Sequence, residues 1–568
     1  MMNLDMKYLI RAGLLTGVML FYTSLVGMVE VFNERDVIVD LITLGQLLVI
    51  LPTLIGGYFI SRKIYHDTEN PISALVSGGL IGLISSLPTL FLLVVGTNFP
   101  DVRDMFVNIN KGLIEILRMG QESAVTGGIY FLLLLTVMGL LGAGLVLLHE
   151  RPRRALINGL TWMIGIGVMS ELLNQIFQQF REYGWIERDT VKILLKSGTL
   201  NPNFALFIFV MAVAMTLIWP YLSGPMEKNL ATASPSTKRN LEIGRYVLIM
   251  LFFLVLPWLV GRFLSDVMVT IGIYIIMGLG LNIAVGLAGL LDLGYLTNFA
   301  VGAYITGILI STGPLGAGVR TDGALGFLNL WIVIPIAVVA AMFTGFFFAL
   351  PVLRMRGDYL AIATLGFGEI IGKLALSDWL KPYIGGAQGI LFVPKPYLFG
   401  IELKDPEQLY YIALAGCLLM LFVMTRLNNS RVGRKWMALR EDEDVAAAMG
   451  IDTVRTKVIA FTLSAAAGGL GGAIFASKVG TVFPNSFTLI VSVNVLSLII
   501  VGGMGSIPGV VVGATFLIGL PELLREFSEF RFLLYGALLV VMMLVKPEGL
   551  WPSETRLREL KKDEPVPV

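Results

Sequence analysis

The sequence predicts an all-α polytopic membrane protein with about sixteen transmembrane helices. Its composition points to this class, because 56% of its 568 residues are hydrophobic and only 14% are charged, against roughly a quarter charged in soluble domains. Apolar runs of about 20 residues recur along almost the whole chain, and that length lets a helix cross about 30 Å of hydrocarbon. A transmembrane β-barrel would instead show alternating segments of about ten residues.

The predicted crossings form two groups separated by a polar linker. Six precede the linker, near residues 9–29, 37–60, 71–96, 126–148, 155–177 and 204–223. Ten follow it, near 245–264, 266–290, 295–312, 328–353, 358–377, 408–426, 457–479, 487–502, 509–524 and 531–546. The sequence thus predicts an N-terminal six-helix extension (1–223), a cytoplasmic linker (224–244), a ten-helix core (245–552) and a cytoplasmic tail (553–568).

Basic residues set the predicted orientation. Lys7 and Arg11 lie at the start of the first segment, and one register places them and every other strongly basic loop on the cytoplasmic side. The same register places both ends of the chain in the cytoplasm. The glycine-rich interruption Gly502–Gly509 is compatible with a re-entrant turn as well as with two crossings.

Few residues are suited to cofactor or metal chemistry. One cysteine excludes an intramolecular disulfide, and two histidines argue against a metal site. The sequence contains no G-x-x-x-x-G-K-[ST] phosphate-binding loop. Paired histidines, a nucleophile elbow and a dense carboxylate cluster are also missing from the polar loops. We therefore expect no enzymatic activity, no bound cofactor and no metal.

A polar segment, Gly433–Ile451, interrupts the apolar core. Asp442 is suited to cap a short helix, the two acidic residues after it complement the helix dipole, and Gly450 favours a left-handed stop. These signals predict a helix of two turns at 442–449 on the cytoplasmic side. The simplest interpretation is a solvated loop, and the alternative is a docking element for a soluble partner.

The segment from Ala438 to Gly450 resembles the cytoplasmic EAA-type loop of ABC importer permeases. It most resembles the LivM-type permeases of the branched-chain amino-acid ABC importer family, although the family's glutamate is here Asp444 and its first alanine is Val445. Further stretches resemble the same family: Gly280–Leu290, Gly294–Tyr295 with Gly302–Tyr304, Arg356–Ile370, Gly385–Ile390, Gly502–Ser506 and Lys546–Leu550.

The resemblance implies a permease core whose loop 427–456 receives force from separate ATPase subunits. The coupling residues it implies are Arg440, Glu441, Asp442, Glu443, Asp444, Ala446, Ala447 and Gly450. ATP and Mg²⁺ would be used by the partner subunits and not bound by this chain. The implied assembly holds a second permease of LivH type, two cytoplasmic ATPases and an extracytoplasmic binding protein, in the cytoplasmic (inner) membrane of a bacterium.

Polar groups at membrane depth usually face protein or a cavity, so they are candidates for the translocation pathway. The candidates are Asn282, Asn298, Tyr359 and Glu369. Each asparagine is equally suited to a hydrogen bond between helices. Glu369 is also placed to pair with Lys373 one turn away. Asp292 is expected at a helix end near the inner face, where water would solvate it.

Glycines in the segment 457–479 predict close packing of helices. The cluster consists of Gly468, Gly469, Gly471 and Gly472. Small residues let helix backbones approach each other closely in lipid. The alternative interpretation is a hinge or a wall of the translocation pathway.

The expected function is that of a permease subunit for the ATP-driven import of branched-chain amino acids. A zwitterion with an apolar side chain needs few fixed charges along its pathway, and this core has few. Urea, amides or other amino acids are alternative substrates within the family. An ion-coupled secondary transporter is the alternative from another class, and Glu369 would be its titrating group. Residues 1–223 resemble no family, and an accessory helical bundle is their simplest interpretation.

Overall fold

The computed structural model describes residues 6–99, 106, 108–196, 198–232, 235–352, 355, 357–398, 400–523 and 530–553. The chain divides into two units, Met1–Met250 and Leu251–Val568. Of the predicted tail, only Ser553 is among the described residues.

The first unit consists mainly of helices. They are α1 (Met6–Leu25), α2 (Met28–Val31), α3 (Leu44–Thr68), α4 (Pro71–Asn98), α5 (Lys111–Leu117), α6 (Ala124–Leu147), α7 (Glu150–Val168), α8 (Ser170–Glu182), α9 (Arg188–Leu194), α10 (Pro202–Thr232) and the start of α11 (Pro235–Asn282), with a 3₁₀ turn at Phe32–Glu34. Helices α10 and α11 cover most of the predicted linker 224–244, so that segment is largely helical.

A small four-stranded sheet replaces part of one predicted crossing. Its strands are β1 (Asp36–Ile38), β2 (Ile42–Thr43), β3 (Leu195–Lys196) and β4 (Thr199–Leu200), in the order β2-β1-β4-β3. The two hairpins join through a parallel pairing of Ile38 with Leu200. The prediction of a membrane segment from residue 37 is therefore wrong at its start. Helix α3 begins only at Leu44, where the Thr43 hydroxyl accepts a hydrogen bond from the backbone N–H of Gln46 at 3.1 Å.

Backbone contacts at glycine hold α3, α4 and α6 together. A Cβ atom added to Gly82 would lie 2.2 Å from the carbonyl oxygen of Leu135, and one added to Gly139 would lie 2.2 Å from that of Gly78. On the same faces, the buried hydroxyls of Ser61 and Ser77 lie 3.0 Å apart. Close approach and interhelical hydrogen bonds are the means by which helices associate in lipid.

The second unit is also mainly helical. Its helices are the remainder of α11, α12 (Leu296–Ile310), α13 (Ala317–Arg320), α14 (Leu330–Val352), α15 (Asp358–Leu376), α16 (Lys381–Ile384), α17 (Pro406–Asn428), α18 (Arg431–Glu441), α19 (Glu443–Ala448), α20 (Thr453–Val479), α21 (Leu489–Gly502), α22 (Ile507–Ala514), α23 (Leu520–Leu523) and α24 (Arg531–Val545). It also contains π-helical segments at Ile283–Leu287 and Thr515–Gly519, 3₁₀ turns at Gly386–Gln388 and Pro484–Ser486, and the hairpin β5 (Tyr397–Leu398) with β6 (Ile401–Glu402).

Helix α11 contains a break in its second half. A straight helix of its 48 residues would be about 70 Å long at 1.5 Å per residue, far more than one bilayer core. Gly261 leaves the helical conformation with φ +82° and ψ 179°, four residues after Pro257. Proline removes a backbone donor and clashes with the preceding turn, which explains a break here. The boundary predicted between residues 264 and 266 corresponds to this break.

Helix α20 lies at the centre of the second unit and is its most buried long helix. A Cβ atom on Gly472 would lie 2.1 Å from the carbonyl oxygen of Phe299 in α12, and one on Gly469 would lie 2.5 Å from the Ala341 Cβ in α14. In α12, a Cβ on Gly302 would lie 2.3 Å from the Gly469 carbonyl. The packing interpretation of the glycine cluster is therefore confirmed.

The structure confirms a multi-pass membrane protein but not the count of sixteen crossings. Among the described residues, eleven helices are long and apolar enough to span a bilayer, or twelve if α7 and α8, bent by 67°, form one span. Three predicted crossings are shorter apolar helices, Leu296–Ile310, Ile507–Leu523 and Phe532–Val545. Hydropathy identified these apolar stretches, but it does not report where each helix begins and ends.

Gly472→Ala is expected to destabilise the protein, because the added methyl group meets the backbone of α12. Overpacking of this kind costs about 1–3 kcal/mol, so the thermal unfolding midpoint of the detergent-purified protein should fall. Gly372→Ala in α15 is the matched control, since a Cβ there meets no atom within 4 Å and alanine favours helix. Equal midpoints for the two variants would contradict this account.

Candidate functional site

The polar segment of the core folds into α18 and α19, here called the polar helix pair, which meet at Asp442. The Asp442 Oδ1 atom accepts hydrogen bonds from the backbone N–H groups of Asp444 at 2.8 Å and Val445 at 2.9 Å. Gly450, after α19, has a φ of +82°, the left-handed conformation that favours glycine. The helix predicted at 442–449 and both of its end signals are therefore confirmed.

Two buried side chains anchor the polar helix pair to the start of α20. Trp436 of α18 is fully buried, and its Nε1 donates to the Thr456 carbonyl at 3.0 Å. The Lys457 side chain is 4% exposed, and its Nζ lies 2.6 Å from the Glu443 Oε1 of α19. Because each helix of the pair is fastened to α20, moving the pair must also move the end of α20.

The outer face of α19 is open to solvent. Five of the predicted coupling residues are exposed, Arg440 and Glu443 are partly buried, and Ala446 is buried; the exposed ones are Glu441, Asp442, Asp444, Ala447 and Gly450. Val445 and Met449 lie beside them and are 59% and 79% exposed. These seven exposed residues are here called the docking surface. It combines carboxylates with apolar groups, as a protein interface does.

Arg440 connects the polar helix pair to a second place in the core. Its Nη1 donates to the carbonyl of Gly286, in the π-helical segment after α11, at 2.9 Å. One turn earlier, the Asn282 Oδ1 accepts a hydrogen bond from the backbone N–H of Gly505 at 2.9 Å. We call these four residues the coupling junction. Glycine is required at Gly286, because an added Cβ would lie 1.9 Å from the Asn282 Oδ1.

The segment after α24 also reaches this junction. The backbone N–H of Leu550 donates to the Val501 carbonyl at 2.7 Å, and that of Trp551 donates to the Gly502 carbonyl at 2.9 Å. A cavity of about 400 Å³ opens here, and Arg440 and Trp551 are among its lining residues. Motifs that are far apart in the sequence therefore meet at the coupling junction.

The four predicted pathway residues are not brought together. Asn282 is buried in the coupling junction, and Asn298 is buried elsewhere in α12, where its Oδ1 accepts a hydrogen bond from the Thr344 hydroxyl at 3.3 Å. Tyr359 and Glu369 lie on the exposed face of α15. Glu369, the titrating group that the ion-coupled alternative would need, is therefore exposed on this chain and not buried within it.

Asp292 was predicted to be solvated at a helix end, but it is buried. Only 4% of the residue is exposed, so the expected solvation near the inner face is wrong. It follows two leucines and precedes the Gly294–Tyr295 motif. This apolar sequence context is the feature from which its burial could have been predicted. The loop that carries Asp292 packs against α15, a contact that the sequence does not show.

No group of three or more histidine, cysteine, aspartate or glutamate side chains suited to a metal ion occurs among the residues the structure describes. Arg356, which opens one of the family-like motifs, lies outside those residues.

Comparison with known proteins identifies the family. The model of the family described as "Branched-chain amino acid transport system / permease component" matches residues 263–545. The high-affinity branched-chain amino acid transport system permease protein LivM of Escherichia coli (strain K12) is 42% identical over 328 residues, which cover 54% of this chain and 74% of that protein. The chain belongs to this permease family.

More distant relatives match a similar share of the chain. A probable branched-chain amino acid transport permease protein LivM of Methanocaldococcus jannaschii is 24% identical, over 51% of this chain and 94% of that protein. The high-affinity permease protein LivH of Escherichia coli (strain K12) is 24% identical, over 50% of this chain and 92% of its own length. No solved structure matches the chain. The residues before 263 lie outside the family match, and all the coupling residues lie within it.

Glu443→Gln is expected to loosen α19, because it leaves the buried Lys457 ammonium without its carboxylate partner. Breaking a buried ion pair costs about 3 kcal/mol, so backbone amides of residues 443–451 should exchange hydrogen faster, as measured by mass spectrometry.

Glu441→Gln is the control for this variant. Glu441 is 63% exposed where it pairs with Arg440 at 3.2 Å, and surface pairs contribute at most about 1 kcal/mol. The same exchange rates in both variants would show that Lys457 does not hold α19.

Proposed function

We propose that this chain is the transmembrane permease subunit of an ATP-driven importer for branched-chain amino acids. It forms the translocation pathway and takes its energy from separate ATPase subunits that dock on α19. The observation that carries this proposal is the exposed docking surface on a short helix that is fastened to the central helix α20. Family membership, with the names of the relatives, supports the substrate class.

Force has two routes from the polar helix pair into the core. The first runs through the Lys457–Glu443 ion pair and the Trp436 hydrogen bond to α20. The second runs through Arg440 to the carbonyl of Gly286 after α11. Because α20 contacts α12 and α14 backbone to backbone, it moves with them as a packed body and does not bend alone. A movement of the ATPases against α19 thereby changes the positions of α12, α14 and α20 in the membrane.

The partners follow from this role. The importer contains a second permease of LivH type, two cytoplasmic ATPases that use ATP and Mg²⁺, and an extracytoplasmic binding protein that selects the substrate. The chain lies in the bacterial cytoplasmic membrane with both termini in the cytoplasm. That orientation places the docking surface on the same side as the ATPases. Urea, amides and other amino acids are the alternative substrates.

Residues 1–223 form an accessory helical bundle in this proposal. The small-residue contacts of α3, α4 and α6 give it a packed core of its own. Its role is to steady the assembly, and the linker 224–244 lies on the cytoplasmic side.

Uptake of leucine into proteoliposomes tests the function. The permease, its LivH-type partner and the ATPases are reconstituted, and the binding protein is supplied outside with labelled leucine. Uptake should require the ATPases and ATP enclosed in the vesicle lumen, and should not follow an imposed proton gradient. Uptake that follows the proton gradient without the ATPases would establish the ion-coupled alternative.

Gly450→Pro and Asp444→Arg are expected to uncouple transport from ATP hydrolysis while leaving membrane insertion intact. Proline cannot adopt the φ of +82° at Gly450, and arginine at Asp444 reverses a charge on the docking surface. Uptake should fall about tenfold or more, as for loss of a central interface contact. Asp378→Arg is the control, an exposed acidic residue between α15 and α16 that is not part of the docking surface.

Unaltered uptake and unaltered stimulated ATP hydrolysis in the first two variants would contradict the coupling role. Cysteines placed from Glu441 to Ala448 provide an independent check. They should crosslink to the ATPase subunits in the assembled importer, and a complete lack of such crosslinks would remove α19 as the point of contact.

A further inference from the structure

A narrow cavity lies where the loop before α12 meets α14, α15 and α20. Its volume is about 20 Å³, enough for one water molecule or a group of that size. One wall is polar and the other is aromatic; the residues are Asp292, Thr297, Asn298, Phe348, Phe367 and Phe461. No lysine, arginine or histidine lines this cavity among the residues the structure describes.

The Asp292 carboxylate is fixed on the cavity wall. Its Oδ1 accepts a hydrogen bond from the backbone N–H of Gly294 at 3.0 Å. The loop is held against α15, because the backbone N–H of Leu293 donates to the Thr364 hydroxyl at 3.0 Å. A Cβ atom on Gly294 would lie 2.1 Å from the Thr364 carbonyl, so the loop cannot shift toward α15. The carboxylate is therefore held away from bulk water.

The Thr297 hydroxyl is a second, independent sign of a ligand. Thr297 is 2% exposed, and its Oγ1 has no hydrogen-bond partner among the described residues. Thr306, on the same helix and equally buried, instead donates to the Gly302 carbonyl at 2.8 Å. A buried hydroxyl without a partner costs stability, so a group that enters the cavity and bonds to Thr297 removes that cost.

The chemistry of the walls selects a cation with hydrogen-bond donors. The carboxylate and the unpartnered hydroxyl both accept hydrogen bonds, and an ammonium group offers three donors and no acceptor. The rings of Phe348 and Phe367 lie 4.7 Å apart between centroids, and aromatic faces attract cations through their quadrupoles. A buried carboxylate also gains more from a cation than from water.

We propose that this cavity binds a cationic group of ammonium size through the Asp292 carboxylate and the Thr297 hydroxyl. The inference rests on the proposed function for the source of that group, the α-ammonium of the transported amino acid. The aliphatic side chain of the amino acid lies against Phe348, Phe367 and Phe461 once α15 separates from the packed body of α12, α14 and α20. A free monovalent cation has the same chemistry, and the experiment separates the two sources.

The position of the cavity suits a site that opens during transport. Phe461 belongs to α20, eight residues after the helix begins at Thr453 beside the polar helix pair. The contact with α19 through Lys457 lies one turn before Phe461. Because α20 moves with α12 and α14 as one packed body, its displacement by the ATPases moves the cavity walls that these three helices supply relative to the α15 wall, which carries Phe367.

The first test measures leucine uptake by the complete importer in proteoliposomes. Asp292→Asn keeps the size of the side chain and removes its charge, so uptake should fall about tenfold, as for the loss of a charge-assisted hydrogen bond. Thr297→Val should lower uptake about threefold, as for a neutral hydrogen bond. Thr306→Val is the matched control and should transport like the wild type. Wild-type uptake in Asp292→Asn would overturn the proposal.

The second test measures occupancy directly. Thr297→Cys is made in a Cys417→Ala background, and labelling by a cationic methanethiosulfonate reagent is followed while the importer hydrolyses ATP. Slower labelling in the presence of leucine supports the substrate ammonium as the source. Slower labelling with sodium or potassium alone supports a free cation. Thr306→Cys should show neither effect.

The two proposals fail in different ways. If the wild-type importer takes up no leucine, the proposed substrate is wrong, and the sodium and potassium arms still test the cavity. If the wild type transports leucine but neither leucine nor a cation slows the labelling of Thr297→Cys, Asp292 has only a structural role and this inference is overturned.

Discussion

The close backbone contacts of α20 are the constraint on which the second unit depends. Lipid tails are as apolar as the side chains between helices, so burial alone does not drive helices together in a membrane. Gly469 and Gly472 remove the side chains that would separate α20 from α12 and α14. The three helices consequently form one packed body, and both the cavity and the docking surface take their positions from it.

The two basic side chains that connect the polar helix pair to this body each have a partner. Lys457 is buried and paired with Glu443, and Arg440 is partly buried and bonded to a backbone carbonyl. Unpaired buried charges are costly, so separating the polar helix pair from the membrane helices would leave the Lys457 ammonium buried without its partner. The same contacts provide a mechanical connection between a soluble partner and the bilayer.

The family-like motifs acquire a common explanation in the structure. Their glycines lie where two backbones touch: Gly286 beside Gly505, Gly294 beside Thr364, and Gly302 beside Gly469. Asp292 lies between two of these contacts, which hold its carboxylate inside the core. Packing and the proposed ligand site are therefore built from the same segment, and a substitution that loosens one is expected to disturb the other.

The sequence by itself determined the membrane class, the helical end signals at Asp442 and Gly450, and the family. These depend on local patterns: apolar length, capping residues and ordered motifs. It did not determine the burial of Asp292 or the exposure of Glu369, because one chain of apolar segments does not say which face of a helix meets protein. Only the tertiary structure decided those positions, since they result from backbone contacts between segments far apart in the chain.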